Sequence, residues 1–205
     1  MEVLLSTTYF GPVQWYQKLH RADNVLIEQW ESFQKQTYRN RCMIATTNGV
    51  QALTVPIERG ETPLIKDIRI SDHGNWRHLH WMALQSAYGE SPFFEYYQDD
   101  IRPFFTQRWD YLLDFNEAIC EKMCELIDLQ PNMSRTNEFS LSTLHTPHST
   151  IIDYRTAINP KHPALDPDFV PKPYYQVYAQ KHGFQSNLSV LDLLFNMGPE
   201  SIYYL

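Results

Sequence analysis

The stretch Gln34-Lys35-Gln36-Thr37-Tyr38-Arg39-Asn40-Arg41 holds three cations, two glutamines, an asparagine, a tyrosine and a threonine, with no acid and no aliphatic side chain. An arginine fork matches the oxygens of a phosphate or carboxylate, and a lysine adds a point charge. The chemistry indicated is anion binding, with Lys35, Arg39 and Arg41 as ligands beside Gln34, Tyr38 and Asn40. The competing reading is a solvated edge strand or loop, because charge runs are usually surface. Asp192 is the second chemical candidate. It lies inside Val190-Leu191-Asp192-Leu193-Leu194, and a buried carboxylate needs a cation or hydrogen-bond donors. Arg39 or Arg41 are its expected partners. Asp192 then acts as a base, or clamps an arginine against a substrate; the alternative is a structural ion pair. Tyr38 is the other candidate catalytic group, and Asn196, one turn beyond Asp192, a candidate ligand.

These residues must be held by strands and helices. Val3 to Thr8 reads as a buried strand, Gly11-Pro12 as a turn, and Val13, Tyr16, Leu19 and Ala22 as one side of a helix. Asn24 to Glu28 reads as a second strand. Such a βαβ unit has parallel strands and binds ligands at their carboxyl ends, here Thr7 to Gln14 and Glu28 to Gln34. Tyr9 and Gln14 therefore join the expected site, and the first helix's N-terminus could add dipole and backbone donors. Asn48-Gly49 predicts a hairpin over Cys42 to Ile57, with Cys42 opposite Val55 and Ile44 opposite Leu53. Its period of two turns Tyr38 and Asn40 toward the core, and Arg39 and Arg41 away.

Further elements are expected at Asp67–Ile70 (strand), Trp76–Tyr88 (helix with Leu79 in the core), after the Ser91 cap (helix), Arg108–Leu129 (helix), Phe139–Leu144 (strand) and from Leu188, capped by Asn187 (helix). Five prolines between Thr156 and Lys181 make that segment irregular, and its aromatic residues suggest that it packs over the rest. The fold class expected is α/β: a Rossmann-like βαβ start with a small mixed sheet, a β-hairpin and flanking helices. One domain spans residues 1–205, with a Pro-rich irregular segment at 156–181.

Composition narrows the classes. A net charge of −7 argues against a broad nucleic-acid surface. No apolar run approaches the roughly 18 residues of a membrane span, and Met1 to Ser6 lacks signal-peptide features. Three cysteines, an odd count, suit a reducing compartment and buried thiols, so a cytoplasmic protein is expected. His78 and His80 fall on a helix and point about 200° apart, which does not make a metal site. No metal and no cofactor is expected. There is no G-x-S-x-G, C-x-x-C, Walker or G-x-G-x-x-G motif.

Together, Tyr9-Phe10-Gly11-Pro12, Ala22-Asp23, Gln34 to Arg41 and Asn187-Leu188-Ser189-Val190-Leu191-Asp192-Leu193-Leu194-Phe195-Asn196-Met197-Gly198 resemble the WbqC-like family. The resemblance implies a bacterial protein with a role in making or modifying O-antigen-type surface polysaccharide. Between about Ser134 and Pro171 the chain departs from longer members, which carry another helix and strand with a Tyr-x-x-Gly segment. The opening unit also resembles nucleotidylyltransferases that use H-x-G-H. Here that position reads Gln14-Trp15-Tyr16-Gln17, so their chemistry does not carry over.

The expected function is an enzyme, a transferase by class, that binds a sugar phosphate or nucleotide sugar. Lys35, Arg39 and Arg41 hold the anion, Tyr9, Gln14, Gln34, Tyr38, Asn40 and Asn196 line the site, and Asp192 orients or acts as base. The alternative is a non-catalytic scaffold of a polysaccharide-synthesis complex, using aromatic surface around Phe93 to Tyr97 or Tyr174, Tyr175 and Tyr178. A homo-oligomer or a biosynthetic complex is open as the assembly.

Overall fold

The computed structural model describes residues 1–58, 60, 62–139, 145–146 and 149–205. Its central strand is β1 (Glu2–Ser6), with Val3, Leu4 and Leu5 buried. An unbroken apolar run suits a strand covered on both faces. The chain continues through Gly11-Pro12 into α1 (Val13–Arg21) and β2 (Asn24–Glu28). β1 and β2 pair in parallel, with Glu2 opposite Asn24 and Ser6 opposite Glu28, as expected of the βαβ unit. Gly11 is required by contact: a Cβ there would lie 2.3 Å from Thr8 Oγ1.

A separate two-stranded sheet pairs β3 (Arg41–Thr46) with β4 (Gly49–Thr54). Cys42 stands opposite Leu53 and Thr46 opposite Gly49, two residues away from the expected register. The turn residues are Thr47 and Asn48, and Gly49, at φ 103°, opens β4. A slip of two returns every side chain to its original face. Cys42, Ile44, Leu53 and Val55 are accordingly buried together.

The helices α2 (Trp76–Tyr88), α3 (Phe94–Ile101), α4 (Pro103–Thr106) and α5 (Leu112–Leu126) follow. Leu79, expected in the core, is exposed, and His80 and Trp81 are buried instead. Ser91 caps no helix; its hydroxyl donates to Tyr88 O at 2.6 Å. Asp67–Ile70 is not a strand: a 3-10 turn at Ile65–Asp67 and isolated bridges from Arg69 and Ile70 replace it. Phe94 and Tyr97 are core residues, whereas Tyr96 is exposed.

β5 (Met133–Arg135) and β7 (Ser149–Asp153) extend the parallel sheet, β5 on β2 and β7 on β1, with β6 (His145–Thr146) antiparallel on β7. Residues 140–144 of the expected strand at 139–144 lie outside the described residues. After α6 (Ala179–His182), α7 (Val190–Met197) is buried at every position from Val190 to Asn196. Ser189, not Asn187, caps it, with its Oγ accepting from Leu191 N at 3.3 Å. The Pro-rich stretch is irregular and packs down: Asp166 pairs with Lys18 at 2.7 Å, and Tyr178 OH donates to Ala87 O at 2.9 Å. Among the described residues no helix is long and apolar enough to cross a membrane.

Candidate functional site

The strand order is β5-β2-β1-β7-β6. The chain builds outward from β1 to β2 to β5, then places β7 on the other side of β1. Open α/β sheets bind ligands where the order reverses, outside the strands' carboxyl ends. At that point β1 delivers Ser6-Thr7-Thr8 and β7 delivers Asp153-Tyr154-Arg155. A narrow cavity of about 10 Å³ lies there, lined by Ser6, Thr7, Thr8, Tyr38, Arg39 and Arg155 among others. An open cleft of about 650 Å³ shares Arg39 and Arg155 with it and adds Trp30, Glu31, Asp153 and His162 to the wall.

Charged groups dominate this region. Arg39 donates Nε to Glu31 Oε1 at 2.8 Å, and Nη2 to Glu31 Oε2 at 2.5 Å and to Ser6 Oγ at 2.8 Å. No partner among the described residues meets its Nη1. Arg155 grips Asp153 through Nε and Nη2, the latter at 2.7 Å, and its Nη1 stands 3.5 Å from Glu28 Oε2. Burial opposes the Arg155 charge, but Asp153, Glu31 and Glu28 outweigh it and hold it above the ordinary arginine range. The fully buried Glu28 also accepts from Trp30 N and Thr136 Oγ1. Three carboxylates thus meet two guanidiniums. Such a cluster offers fixed acceptors and fixed cationic donors side by side, which suits a ligand that carries both hydroxyls and anionic oxygens. Burial, then Cys42, pushes the Tyr38 phenol up to about 12, so it serves as a neutral hydrogen-bonding group at physiological pH.

A sequence model of the WbqC-like protein family matches residues 7–165. The chain belongs to the WbqC-like family. It is also similar to the uncharacterised protein Rv1507c of Mycobacterium tuberculosis (strain ATCC 25618 / H37Rv), at 22% identity over 211 residues that cover 90% of this chain and 88% of that protein. No solved structure matches the chain. The matched span of this WbqC-like chain includes the whole cluster from Thr7 to Arg155, while Asp192 lies beyond it.

Of the residues expected in one site, Gln34, Tyr38 and Arg39 reach the cleft or its inner cavity. Lys35 is exposed and lines neither. Arg41 donates to Thr54 Oγ1 at 2.9 Å within the hairpin, and Asn40 donates to Val55 O at 2.8 Å. Tyr9 is fully buried, with its hydroxyl 2.9 Å from His80 Nδ1; desolvation lowers that histidine to about 4, so it is neutral. Gln14 joins Asp166 and Asn187, not a ligand. The donors at the start of α1 are also consumed, Val13 N by Leu188 O and Gln14 N by Asn187 Oδ1, so this helix end adds nothing to an anion site.

Asp192 departs furthest from expectation. It meets neither Arg39 nor Arg41; Glu31 holds Arg39. Its carboxylate accepts from Tyr88 OH at 3.0 Å, Tyr174 OH at 2.7 Å and Gln176 Nε2 at 2.8 Å. Burial raises its pKa despite these donors. Asn196 donates to Asp192 O at 2.7 Å in the same buried helix. The residues that sequence reasoning passed over are Asp153 and Arg155. The β-branched run Thr150-Ile151-Ile152 was a usable signal for the strand that carries them.

Proposed function

We propose that this WbqC-like chain is an enzyme that binds a phosphorylated or nucleotide-linked sugar in the cleft at the ends of β1 and β7. The observation that carries the reading is the mixed cluster of Arg39 and Arg155 with Glu28, Glu31 and Asp153. A bare anion would gain little there, because the carboxylates already balance the guanidiniums. A sugar phosphate offers phosphate oxygens to the arginine edges and hydroxyl donors to the carboxylates. Trp30 provides an aromatic wall of the kind on which an apolar sugar face rests. The cleft's volume of about 650 Å³ is in the range of small-molecule sites. The proposal includes a role in surface-polysaccharide synthesis, which the resemblance of the motifs to the WbqC-like family implies, and a transferase class.

Thermal-shift and calorimetric titration against sugar phosphates, nucleotide sugars and inorganic phosphate tests it. A sugar phosphate or nucleotide sugar raises Tm, and inorganic phosphate does not. The effect disappears in the paired variant Arg39→Met with Glu31→Leu, which removes both charges together. If no sugar-bearing compound shifts a folded wild-type protein, the reading is overturned.

A further inference from the structure

Three sulfur atoms meet where α5 approaches β5. Cys120 and Cys124 stand one turn apart on α5 and share a face. Their Sγ atoms are 3.9 Å apart. Met133 opens β5, which pairs in parallel with β2, and its Sδ lies 4.0 Å from Cys120 Sγ. Both cysteines are free thiols and are buried. Packing at this place asks only for apolar side chains of the right size. It does not ask for three soft donors at this spacing. A thiolate bond to a d10 metal ion is about 2.3 Å long, so three sulfurs in a plane around one ion stand about 4.0 Å apart. Cys120 holds that spacing to both of its neighbours.

Ligand type decides the metal. Thiolates and thioethers select soft ions such as Cu(I), whereas carboxylates and carbonyls select hard ones. Zinc takes four donors in a tetrahedron, and no three His, Cys, Asp or Glu side chains converge on a metal site among the described residues. The last turn of α5 adds the negative end of the helix dipole, which favours a cation. Cys120 and Met133 also border an open cavity of about 240 Å³, which gives an ion a way in. We propose that Cys120, Cys124 and Met133 form a three-coordinate site for a soft monovalent cation, Cu(I) in its chemical class. Two S–H bonds break and two Cu–S bonds form, both protons leave to solvent, and no electron is transferred. The Met133 thioether binds without losing a proton, and its unbranched chain adapts to the ion. The bound site carries one net negative charge, spread over three polarisable sulfurs. None of these residues lines the cleft, so the inference stands apart from the reading of the cleft.

The test titrates the reduced full chain with Cu(I), without oxygen, in competition with the chromophoric chelator bicinchoninate. Wild type holds one equivalent against the chelator, and X-ray absorption shows three sulfurs at about 2.3 Å from the metal. Cys120→Ala with Cys124→Ala abolishes retention. Met133→Leu nearly conserves volume; it weakens binding on the order of tenfold or more, at least the loss expected of a second-shell partner, and leaves two sulfurs in the shell. Cys42→Ala, in β3, changes neither reading. The proposal is overturned if folded wild type yields all its Cu(I) to the chelator, if the double cysteine variant keeps its equivalent, if Met133→Leu binds as wild type does with an unchanged shell, or if Cys42→Ala loses the metal as well. Should the double variant not fold, the Met133→Leu and Cys42→Ala arms still decide it.

Discussion

Arg39 and Glu31 satisfy each other where water is largely excluded, with side chains 5% and 9% exposed. Removing one partner strands the other charge, which costs about 3–5 kcal/mol, whereas removing both can be nearly neutral. Arg39→Met alone should therefore lower the urea midpoint sharply, and adding Glu31→Leu should restore most of it. Restored stability with lost ligand binding separates Arg39's role in the site from its role in the fold. Asp192 behaves differently, because its three partners are neutral. Its folded pKa is raised above the unfolded value, so its contribution to stability is complete below the unfolded pKa and is lost as pH rises through the folded one. Asp192→Asn escapes that loss. The stability of Asp192→Asn relative to wild type should grow with pH across that window and level off above it, as read from urea melts at stepped pH. Asp192→Ala instead leaves Tyr88 OH and Tyr174 OH without an acceptor, while Gln176 Nε2 keeps its bond to Gln185 O at 2.9 Å, and it destabilises at every pH by about 1–3 kcal/mol for each donor that finds no water. A pH-independent difference between wild type and Asp192→Asn would contradict the raised pKa.

At the scale of elements, the N-terminal half of the sheet was legible and the C-terminal half was not. β1, α1 and β2 follow from an apolar run, a Gly-Pro turn and a 3.6-residue stripe, all local signals. The hairpin's faces were legible as well, because a two-residue slip preserves them, although Asn48-Gly49 did not form the central turn. β5 escaped notice because three residues hardly establish a period, and β7 because its short β-branched run stands alone in sequence; partners over a hundred residues away define both. The same limit hid half of the site: Glu31 falls in the stretch after β2 flagged for ligands, whereas Asp153 and Arg155 depend on β7. Long-range contacts also redirected Gln14 and Asn187. Gln14 Nε2 donates to Asp166 Oδ2 at 2.8 Å, and Lys18 pairs with the same carboxylate. Burial works against ionised Asp166, but Lys18 and Gln14 outweigh it and hold its pKa below the usual range. Its contribution to stability is therefore present above the unfolded pKa and fades as pH falls through the folded one. Asp166→Ala should release the Pro-rich stretch from α1 while β1 and β2 stay intact. Hydrogen exchange should then quicken at residues 164–169 with protection in β1 unchanged; equal quickening in both would mean that the segment is integral to the sheet's stability.

Across the whole molecule, charge sets how an anionic sugar compound reaches the cleft. The chain carries −7, and the three carboxylates beside Arg39 and Arg155 leave no excess of positive charge at the cluster. A nucleotide sugar therefore approaches against a repulsive field and gains its attraction only at contact, through guanidinium edges. Salt screens the first effect more than the second: the Debye length falls from about 30 Å at 0.01 M to about 10 Å at 0.1 M, whereas partly buried pairs are screened much less. The association rate should rise over that interval, within about tenfold, the low end of electrostatic effects on encounter. The dissociation rate should change little, and a neutral sugar should show no salt dependence in either rate. Stopped-flow fluorescence can follow this through Trp30, which lines the cleft. An association rate that falls with salt would mean that the cleft mouth is locally positive. Exposed Lys35 and Lys161, the latter donating to Gln36, would then steer the ligand in spite of the net charge. Charge reversal at Lys35 and Lys161 distinguishes the two cases when set beside reversal at Lys122 and Lys181, which line neither the cleft nor its inner cavity: a repulsion-limited rate falls by a similar factor in both pairs, whereas a steered one collapses only in the first.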